Sequence, residues 1–304
     1  MTPQDIPIAR ASLDLFGKSG TFKLVSAGLD STYRIISPGA TVYALRVSSG
    51  PPIRRASAFQ TEAEWIQALA DIEWFDVPKV LLTNPGEQIG KVMDETGVER
   101  ASTLVSWLPG RRCFQPAKTH ARALGRIAGA LHQHAKLQAT LSLDSIKAWD
   151  TKRICLMPED SSGEAKSISS QLARLIQEFY LELDQKLALV SDSEIGLINA
   201  DLGMHNVLWR QGQPAIFDFN DAGIGPYAFC LARLIGRVRP NQNGESLVDE
   251  ILKGYTEVIS LPSSYKELGR ELELASEVFR LNYAVGRAER LGTGLEQSEL
   301  ALAD

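Results

Sequence analysis

Length, composition and charge are those of an ordinary globular chain, and they exclude one broad class of protein. The sequence has 304 residues, of which 44% are apolar and 23% charged, and this suits one large domain or two lobes. The formal net charge of −5 argues against a nucleic-acid partner, because nucleic-acid-binding proteins usually present a basic face.

Local patterns set aside two further classes. The three cysteines, Cys113, Cys155 and Cys230, lie far apart without a CxxC pair, so neither a zinc site nor a disulfide framework is indicated. The first residues lack the pattern of a secretory leader, and no apolar run approaches the roughly 18 residues of a membrane span. We therefore expect a cytoplasmic protein without a membrane partner, and no pattern indicates its oligomeric state.

Residues 1–108 are predicted to form a small antiparallel sheet with one helix. Pro38-Gly39 suits a tight turn between two strands, and the strand segments are TFKLVSAG, TYRIISPG, TVYALRVSSG, KVLLT and ASTLVSWL. The segment SAFQTEAEWIQALADI has apolar residues at helical spacing. Its Thr-x-x-Glu sequence at Thr61 resembles a capping box, which would place the start of the helix there.

Residues 109–304 are predicted to form a larger, mostly helical part, with Pro109-Gly110 as the junction. Long amphipathic helices are expected at AKTHARALGRIAGALHQHAKL, where His132 and His134 would pack, and at EAKSISSQLARLIQEFYLELDQKLALV. Residues 197–226 would interrupt the helices with two or three short strands. From residue 241 onward, 12 Asp and Glu face 6 Lys and Arg. This excess is typical of solvated helix faces, or it forms an acidic wall that attracts a cationic ligand.

Three polar residues in the interrupting stretch are candidates for holding a magnesium nucleotide. The stretch reads LINADLGMHNVLWRQGQPAIFDFNDAGIGP, with Asp201 on a loop, Asn206 beginning one strand and Asp218 ending the next. Phosphoryl transfer needs a carboxylate near the acceptor hydroxyl and oxygen ligands for Mg²⁺, and these residues supply both. The same residue types are common as turn formers and caps, so their spacing alone leaves both interpretations open.

The order of several motifs resembles the aminoglycoside phosphotransferase, choline kinase and homoserine kinase group of protein-kinase-like enzymes. NADLGMHN is similar to the catalytic loop of that group, and FDFNDAGIG to its metal segment. YALRV resembles the third-strand motif, TEAEW the helix motif, LVSWLPG the hinge and LGRIAGALHQH the first large-lobe helix. Within the group, the chain is most similar to the bacterial stress-response kinases. The resemblance implies an α+β, bilobal protein-kinase-like fold, with a β-rich small lobe and a helical large lobe.

The resemblance also implies how the nucleotide is bound. ATP would sit between the lobes, with Arg46 on its α- and β-phosphates. Arg46 would pair with a helix glutamate, which is Glu62 or, within the same turn, Glu64. The other nucleotide contacts are expected from Ser26 and Gly28 in the loop over the phosphates, and from Val105, Ser106 and Trp107 at the adenine.

The implied reaction is transfer of the γ-phosphate of ATP to a hydroxyl group. Asn206 and Asp218 would bind Mg²⁺, and Asp201 would orient the acceptor hydroxyl and take up its proton. We expect a small-molecule acceptor such as an amino alcohol or an aminoglycoside, and the acidic C-terminal third favours a cationic one. A Ser/Thr protein kinase of the stress-response type is the alternative enzyme.

Four positions depart from the pattern of the family. Asn199 and Gly203 stand where the catalytic loop normally has histidines, Asn220 replaces an Asp of the metal segment, and Cys230 replaces an Asp that braces the catalytic loop. Cys230 and Asn199 are predicted to be linked changes in one hydrogen-bond network. Asp201, Asn206 and Asp218 are all retained, which favours catalysis; a nucleotide-binding pseudokinase is the alternative.

Overall fold

The chain forms two compact units. The computed structural model describes residues 5–27, 30–51, 55–137, 147–156, 170–240 and 242–291, with side chains from Ile6 to Val285. The first unit comprises Met1–Gln115, Gln138–Lys147 and Met204–Ala222, and the second comprises Pro116–Leu137, Ala148–Gly203 and Gly223–Asp304. The lobe boundary predicted between residues 108 and 109 stays a prediction.

An antiparallel sheet is the centre of the first unit. Its strand order is β1-β2-β3-β6-β4, and β5 pairs with β6. The elements are α1 (Asp5–Leu15), β1 (Thr21–Ala27), β2 (Asp30–Ile36), β3 (Val42–Ser48), α2 (Ala56–Leu69), β4 (Val80–Leu81), β5 (Gly90–Met93) and β6 (Glu99–Ser106). The predicted strands and the Pro38-Gly39 turn are confirmed, whereas no sequence pattern predicted α1 or β5.

Helix α1 and the sheet bury a common apolar face. Alternate residues of β2 and β3 are buried, as expected when successive strand side chains point to opposite faces. The residues buried together are Ala9, Leu13, Phe16, Tyr33, Ile35, Leu45, Val47 and Leu104. Helix α2 adds a smaller cluster in which Phe59 packs with Ile89 and Ala101. The sheet that carries Arg46 is therefore anchored by an apolar core.

The capping-box prediction at Thr61 is wrong. Helix α2 begins at Ala56, and its N-cap residue is Arg55, which makes no side-chain capping bond. Thr61 lies inside the helix, where its hydroxyl donates to the carbonyl oxygen of Ser57 over 3.2 Å. The helix extends upstream because Phe59 lies on its buried face, and burial of that ring outweighs the local Thr-x-x-Glu signal.

A β-hairpin flanked by Asn206 and Asp218 also belongs to the first unit. Strands β10 (Val207–Arg210) and β11 (Gln213–Ile216) pair antiparallel, and β7 (Arg111–Arg112) lies on the other side of β10. The two turn residues, Gln211 and Gly212, have φ values of 52° and 83°, which is typical of a tight hairpin turn. Asp76 holds the hairpin through main-chain hydrogen bonds of 2.9 Å to Pro214 and Ile216.

The second unit is mostly helical. Its elements are α3 (Lys118–Leu137), β8 (Lys147–Ala148), α4 (Thr151–Ile154), α5 (Ser170–Leu187), β9 (Ile195–Asn199), β12 (Ala222–Pro226), α6 (Tyr227–Val238), α7 (Gly244–Thr256) and α8 (Ser263–Leu291). The long predicted helices are confirmed, the second over Ser170–Leu187. Residues 164–169 of that prediction lie outside the described residues, and residues 188–190 form a turn after the helix. Four short strands, β9 to β12, interrupt the helices, rather than two or three. Within the described ranges, no helix is both long and apolar enough to cross a lipid bilayer.

Helices α3 and α7 approach closely because each presents a glycine to the backbone of the other. A Cβ atom added at Gly125 would meet the carbonyl group of Ile251, and one added at Gly254 would meet that of Arg122. Backbone atoms cannot yield in the way that the end of a flexible side chain can. The separation of the two helices therefore depends on these glycines.

We expect Gly125→Ala to destabilise the protein by about 3 kcal/mol, because overpacking against a backbone forces the helices apart. Urea denaturation followed by circular dichroism measures the change. Gly236→Ala is the matched control in a helix, since its nearest neighbours lie 3.9 Å from the added methyl group. That control should be neutral or stabilising by up to about 1 kcal/mol. Equal stability of both variants would contradict the prediction.

His132 is a packed residue of α3, as the sequence predicted. Its side chain is fully buried, and its Nδ1 lies 2.8 Å from the hydroxyl of Tyr255. Its ring centroid is 4.6 Å from that of Tyr227. Burial lowers the pKa of His132 to about 3, and the charge of Lys136 adds to the effect. The folded protein therefore holds this imidazole neutral.

His132 makes stability fall as pH decreases, because only the unfolded chain takes up its proton near the ordinary pKa of 6.5. The contribution is complete above pH 6.5 and is lost progressively toward pH 3, by up to about 1.4 kcal/mol per pH unit. Urea denaturation at several pH values should show a shallower decline for His132→Gln than for the wild type. Identical declines would show that the histidine is not the cause.

Candidate active site

Asp201 follows β9, the buried strand that leads into the predicted catalytic loop. Its N–H donates to Asn199 Oδ1 over 3.0 Å, and the N–H of Leu202 donates to the carbonyl of Asn199 over 3.3 Å. An Asn side chain that accepts the N–H two residues on forms an Asx-type turn. Asn199 thus shapes the loop in a position where the family pattern has a histidine.

Two arginines of α6 surround the Asp201 carboxylate. Arg237 donates to Asp201 Oδ1 in a short charge-assisted hydrogen bond, and to the Asp201 carbonyl over 3.4 Å. Arg233 Nη2 lies 3.5 Å from the same Oδ1. About a fifth of the Asp201 side chain is exposed (22%), so the carboxylate reaches solvent while it is held.

The predicted link between Cys230 and Asn199 is present. The Cys230 thiol donates to the carbonyl oxygen of Asn199 over 3.2 Å. Burial raises the pKa of Cys230 to about 12, although the charges of Arg233 and Arg237 oppose the shift. The thiol is therefore a neutral donor, and it contacts the main chain at the base of the Asp201 turn.

Asn206 and Asp218 occupy adjoining positions at one end of the β10–β11 hairpin. Val207 pairs with Ile216, and one step beyond, the carbonyl of Asn206 accepts the N–H of Phe217 over 3.1 Å. Asn206 ends a 3₁₀ turn (Met204–Asn206) just before β10. Asp218 lies two residues after β11 rather than at its end. Each predicted metal ligand is thus displaced by only one or two residues from its predicted place.

Asp218 has a left-handed backbone conformation with φ of 64°. Asp adopts such a φ more readily than most residues other than Gly, because its short polar side chain can hydrogen-bond to the nearby backbone. The Asp218 Oδ1 atom accepts the N–H of Asn220 over 3.3 Å, which stabilises the turn. The carboxylate of Asp218 therefore stabilises the backbone conformation of the segment in which it lies.

An amide oxygen and a carboxylate at adjoining positions fit Mg²⁺ held together with phosphate groups. Mg²⁺ takes oxygen ligands and keeps several waters, so two protein ligands suffice when phosphates supply others. Among the described residues, no group of three or more His, Cys, Asp or Glu side chains is placed to hold a metal ion. The side-chain oxygen atoms of Asn206 and Asp218 are thus of the kind that Mg²⁺ takes as ligands.

Arg46 of β3 is the central cation of the first unit. It donates to Glu62 and to Asn220 Oδ1 in short hydrogen bonds, and its Nε lies 3.8 Å from Asp30 Oδ2. Burial by itself would lower the pKa of Arg46, but the charge and hydrogen bond of Glu62 outweigh it, and the charges of Asp30 and Asp218 add to the rise. The net shift is upward, so Arg46 is permanently charged.

The structure decides which glutamate pairs with Arg46. Glu62 is buried on the inner face of α2 and bonds the guanidinium, whereas Glu64 accepts a hydrogen bond of 2.8 Å from Gln60. Residues two apart on a helix point about 200° apart, so only one of them can face the sheet. The guanidinium carbon of Arg46 lies 4.7 Å from the ring centroid of Phe59, and this contact on α2 helps to orient Glu62 toward Arg46.

Four of the five remaining residues predicted to contact the nucleotide lie within the described part of the chain. Ser26 is an exposed residue of β1, and Gly28 lies outside the described residues. Val105 and Ser106 end β6, and the N–H groups of Ser106 and Trp107 donate to Lys79 and Val42 carbonyls over 2.8 and 3.1 Å. Those two donors are thus used within the sheet. An adenine at this edge would have to meet their carbonyl oxygens or a later N–H group.

Four site residues were missed by the sequence reasoning. Lys147 donates to the Asn220 carbonyl over 2.6 Å and pairs with Asp221 at 3.1 Å, and the others are Asp30, Arg233 and Arg237. For the two arginines a signal existed, because a spacing of four on a helix that follows the metal segment places both on one face. Lys147 and Asp30 carry no comparable signal, since only tertiary folding brings them to the site.

The fold and the site together define the class of protein. The first unit has a sheet arginine paired with a helix glutamate, and an Asn and an Asp at adjoining positions, and the second has an aspartate loop after a strand. These are residue types that phosphoryl transfer requires. The model of the phosphotransferase enzyme family matches residues 21–268. This chain belongs to that family, as the motifs predicted. The closer likeness to stress-response kinases stays a prediction.

Several known proteins are similar to this chain. The amicoumacin kinase of Bacillus subtilis (strain 168) is 29% identical over 183 residues, which cover 56% of this chain and 50% of the relative. The chain thus spans about half the length of the curated relative it matches. An amicoumacin kinase solved with AMP-PNP, Ca²⁺ and Ami aligns over 94% of this chain and 87% of its own, with a TM-score of 0.78 and 19% identity.

A microcompartment-associated aminopropanol kinase is almost equally similar in structure. It has a TM-score of 0.77 and 21% identity, and the alignment covers 92% of this chain and 89% of that protein. A spectinomycin phosphotransferase solved with ADP and spectinomycin has a TM-score of 0.64 and 13% identity, with 93% and 87% covered. These likenesses confirm the predicted α+β, protein-kinase-like fold.

We expect Glu62→Gln to lower the free energy of unfolding by about 2 kcal/mol, because it removes the carboxylate bonded to a buried arginine. Glu64→Gln is the matched control and should change stability by less than about 0.5 kcal/mol, since it keeps a hydrogen-bonding group at the surface of the same helix. Urea denaturation of both variants provides the comparison. If both variants lose the same stability, the Arg46–Glu62 pair is not what stabilises this part of the sheet.

Proposed function

We propose that this protein is an ATP-dependent phosphotransferase that moves the γ-phosphate to a hydroxyl of a small-molecule acceptor. The observation that carries the proposal is the adjoining placement of Asn206 and Asp218, with Asp218 close enough to Arg46 to raise its pKa. Membership of the phosphotransferase enzyme family supports the reaction type. The names of the similar proteins, amicoumacin kinase and aminopropanol kinase, support a small-molecule acceptor.

In this proposal Arg46 binds the nucleotide phosphates while Glu62 holds its guanidinium in place. The fixed positive charge stabilises the negative charge of the phosphates without rearrangement during the reaction. Asn206 and Asp218 would hold Mg²⁺, which when bound neutralises phosphate charge. Ser26, Gly28 and the Val105–Trp107 segment complete the proposed nucleotide contacts.

Asp201 is the proposed catalytic residue. Its carboxylate would accept the hydrogen bond of the acceptor hydroxyl, orient the oxygen for in-line attack, and receive the proton as transfer proceeds. The hydroxyl oxygen forms the new bond to the γ-phosphorus as the bond from phosphorus to the bridging oxygen of ADP breaks. Positioning supplies a large part of such a rate enhancement.

The excess of acidic residues in the C-terminal third supports a cationic acceptor less strongly once their ion pairs are known. Among the described residues of the C-terminal third, six acidic side chains are ion-paired with basic side chains. They are Glu245, Glu250, Glu257, Glu271, Glu273 and Glu277. These pairs favour solvated, locally neutralised helix faces over an acidic wall. The similarity to an aminopropanol kinase still supports a cationic acceptor, because aminopropanol carries an amine.

A nucleotide-binding protein with little turnover is the second candidate function. It is favoured by one observation, since the carboxylate proposed to serve the acceptor is already engaged by Arg237. In this case Asp201 would be a structural counterion. The two functions differ in whether a phosphate acceptor stimulates the consumption of ATP.

Asp201→Asn should lower acceptor-stimulated ATP consumption by at least about 100-fold, because an amide cannot take up the proton of the hydroxyl. Purified protein is assayed with Mg²⁺ and a panel of amino alcohols, aminoglycosides and a generic protein substrate. Asp192→Asn, the same change at an exposed position just before β9, is the control and should retain full activity.

Each outcome of this assay points to one function. Stimulation by a panel member that disappears in Asp201→Asn supports the phosphotransferase and identifies the acceptor class. ATP binding without stimulated turnover in the wild type would favour the second candidate. Failure of the wild type to bind ATP, measured by isothermal titration calorimetry, would overturn both.

A further inference from the structure

We propose that Arg237 is the positioning residue of Asp201, supported from the protein core by Arg233. This inference rests on the proposed function, in which Asp201 receives the acceptor hydroxyl. The observation that points to it is the contact of one guanidinium with both the side chain and the main chain of Asp201.

The contact restrains both the side chain and the main chain of Asp201. Arg237 donates to Oδ1 at one end of the residue and to the carbonyl oxygen at the other, over 3.4 Å for the second bond. A planar guanidinium with fixed donor directions is well suited to such a double contact. The Asp201 N–H is held as well, by Asn199 Oδ1 at 3.0 Å. Side chain, carbonyl and amide of one residue are thus all bonded.

Arg233 fixes the other side of the arrangement. Its side chain is only 5% exposed, and its Nη2 is 3.5 Å from Asp201 Oδ1. The guanidinium carbon lies 4.2 Å from the ring centroid of Phe279, and 5.7 and 6.0 Å from those of Trp149 and Phe229. Aromatic faces stabilise a cation that has left bulk water. Arg233 is therefore a buried charge that attracts the Asp201 carboxylate from within the core.

One face of α6 supplies all of these contacts. Cys230, Arg233 and Arg237 are three and four residues apart, a spacing that aligns their side chains along a helix. Cys230 makes the neutral contact to the Asn199 carbonyl, and the two arginines make the charged contacts to Asp201. The resemblance places a carboxylate at position 230 that braces the loop. In this protein Arg233 and Arg237 stabilise the loop instead, through their attraction for the Asp201 carboxylate.

Holding the carboxylate in one orientation has a kinetic consequence rather than a binding one. A carboxylate free to rotate would spend most of its time out of line with the acceptor hydroxyl, and small misplacements of a reacting group reduce rates strongly. Arg46, Asn206 and Asp218, which are proposed to bind the nucleotide and its metal, do not depend on this contact. Loss of Arg237 should therefore lower kcat while KM for ATP stays nearly constant.

Arg237→Ala is the variant that tests the role, assayed with Mg²⁺, ATP and whichever acceptor stimulates the wild type. We expect kcat to fall by roughly 100-fold with KM for ATP within about threefold of wild type. Guanidinium ion at millimolar concentration should restore at least about a tenth of the lost rate, because it can refill the vacated position. Arg237→Lys should retain an intermediate rate, since lysine keeps the charge but not the double contact.

Arg239→Ala is the matched control. Arg239 follows the same helix and bonds Glu273 and Glu245 rather than the loop, so its loss should leave kcat within about twofold and give no response to guanidinium. An unchanged or raised kcat in Arg237→Ala would overturn the proposal, as would an equal loss in the control. Absence of turnover in the wild type would overturn the proposed function itself and the catalytic role of Arg237 with it.

A double-mutant cycle tests the contact without any need for turnover. The urea midpoints of Arg237→Gln, Asp201→Asn and the double variant are compared with that of the wild type. If the pair is as described, the double variant loses less than the sum of the two single losses. Additive losses would overturn the contact and therefore the proposal.

Discussion

Arg46 carries a positive charge into the interior of the first unit, and the groups that compensate this charge hold several elements of that unit together. Glu62 on α2, Asp30 on β2 and Asn220 after β11 all contact one guanidinium. A buried charge that loses a partner is strongly unfavourable, so each of these elements is held where its side chain reaches the cation. Three separate stretches of sequence are thereby tied to one point of the sheet, beside the segment that contains Asp218.

The departures from the family pattern form two coherent sets. Asn220 has an amide oxygen where a carboxylate is usual, and that oxygen accepts a bond from Arg46, whose surroundings already include the charges of Glu62, Asp30 and Asp218. A further carboxylate there would add repulsion among like charges. Cys230 and Asn199 form the second set, since the thiol contacts the Asn199 carbonyl and the Asn199 side chain bonds the Asp201 N–H. When polar partners change together, few buried groups are left without a bond.

Prediction from sequence was accurate where a local pattern determines the structure, and it failed where a contact between distant residues determines it. The strands around Arg46 and the helices α3 and α5 follow from alternation and helical periodicity, and the family followed from the order of motifs. The start of α2 was wrong, because burial of Phe59 extends the helix beyond the Thr61 signal. Helix α1 was missed among strand-rich surroundings. Choosing between Glu62 and Glu64 requires knowing which face of α2 points toward Arg46, and the sequence does not show this.

The sequence by itself determined the kinds of residue available for chemistry: Asp201, Asn206 and Asp218 in order, a sheet arginine, and a helix glutamate. Their spacing along the chain is a local property, readable without coordinates. Only the tertiary structure decided how their charges are compensated. Glu62 and Asn220 contact Arg46, Lys147 contacts Asn220 and Asp221, and Arg233 and Arg237 contact Asp201. The reason is physical. Electrostatic and hydrogen-bonding partners are selected by proximity in space, and residues 16 to 174 positions apart become neighbours of Arg46 only when the chain folds.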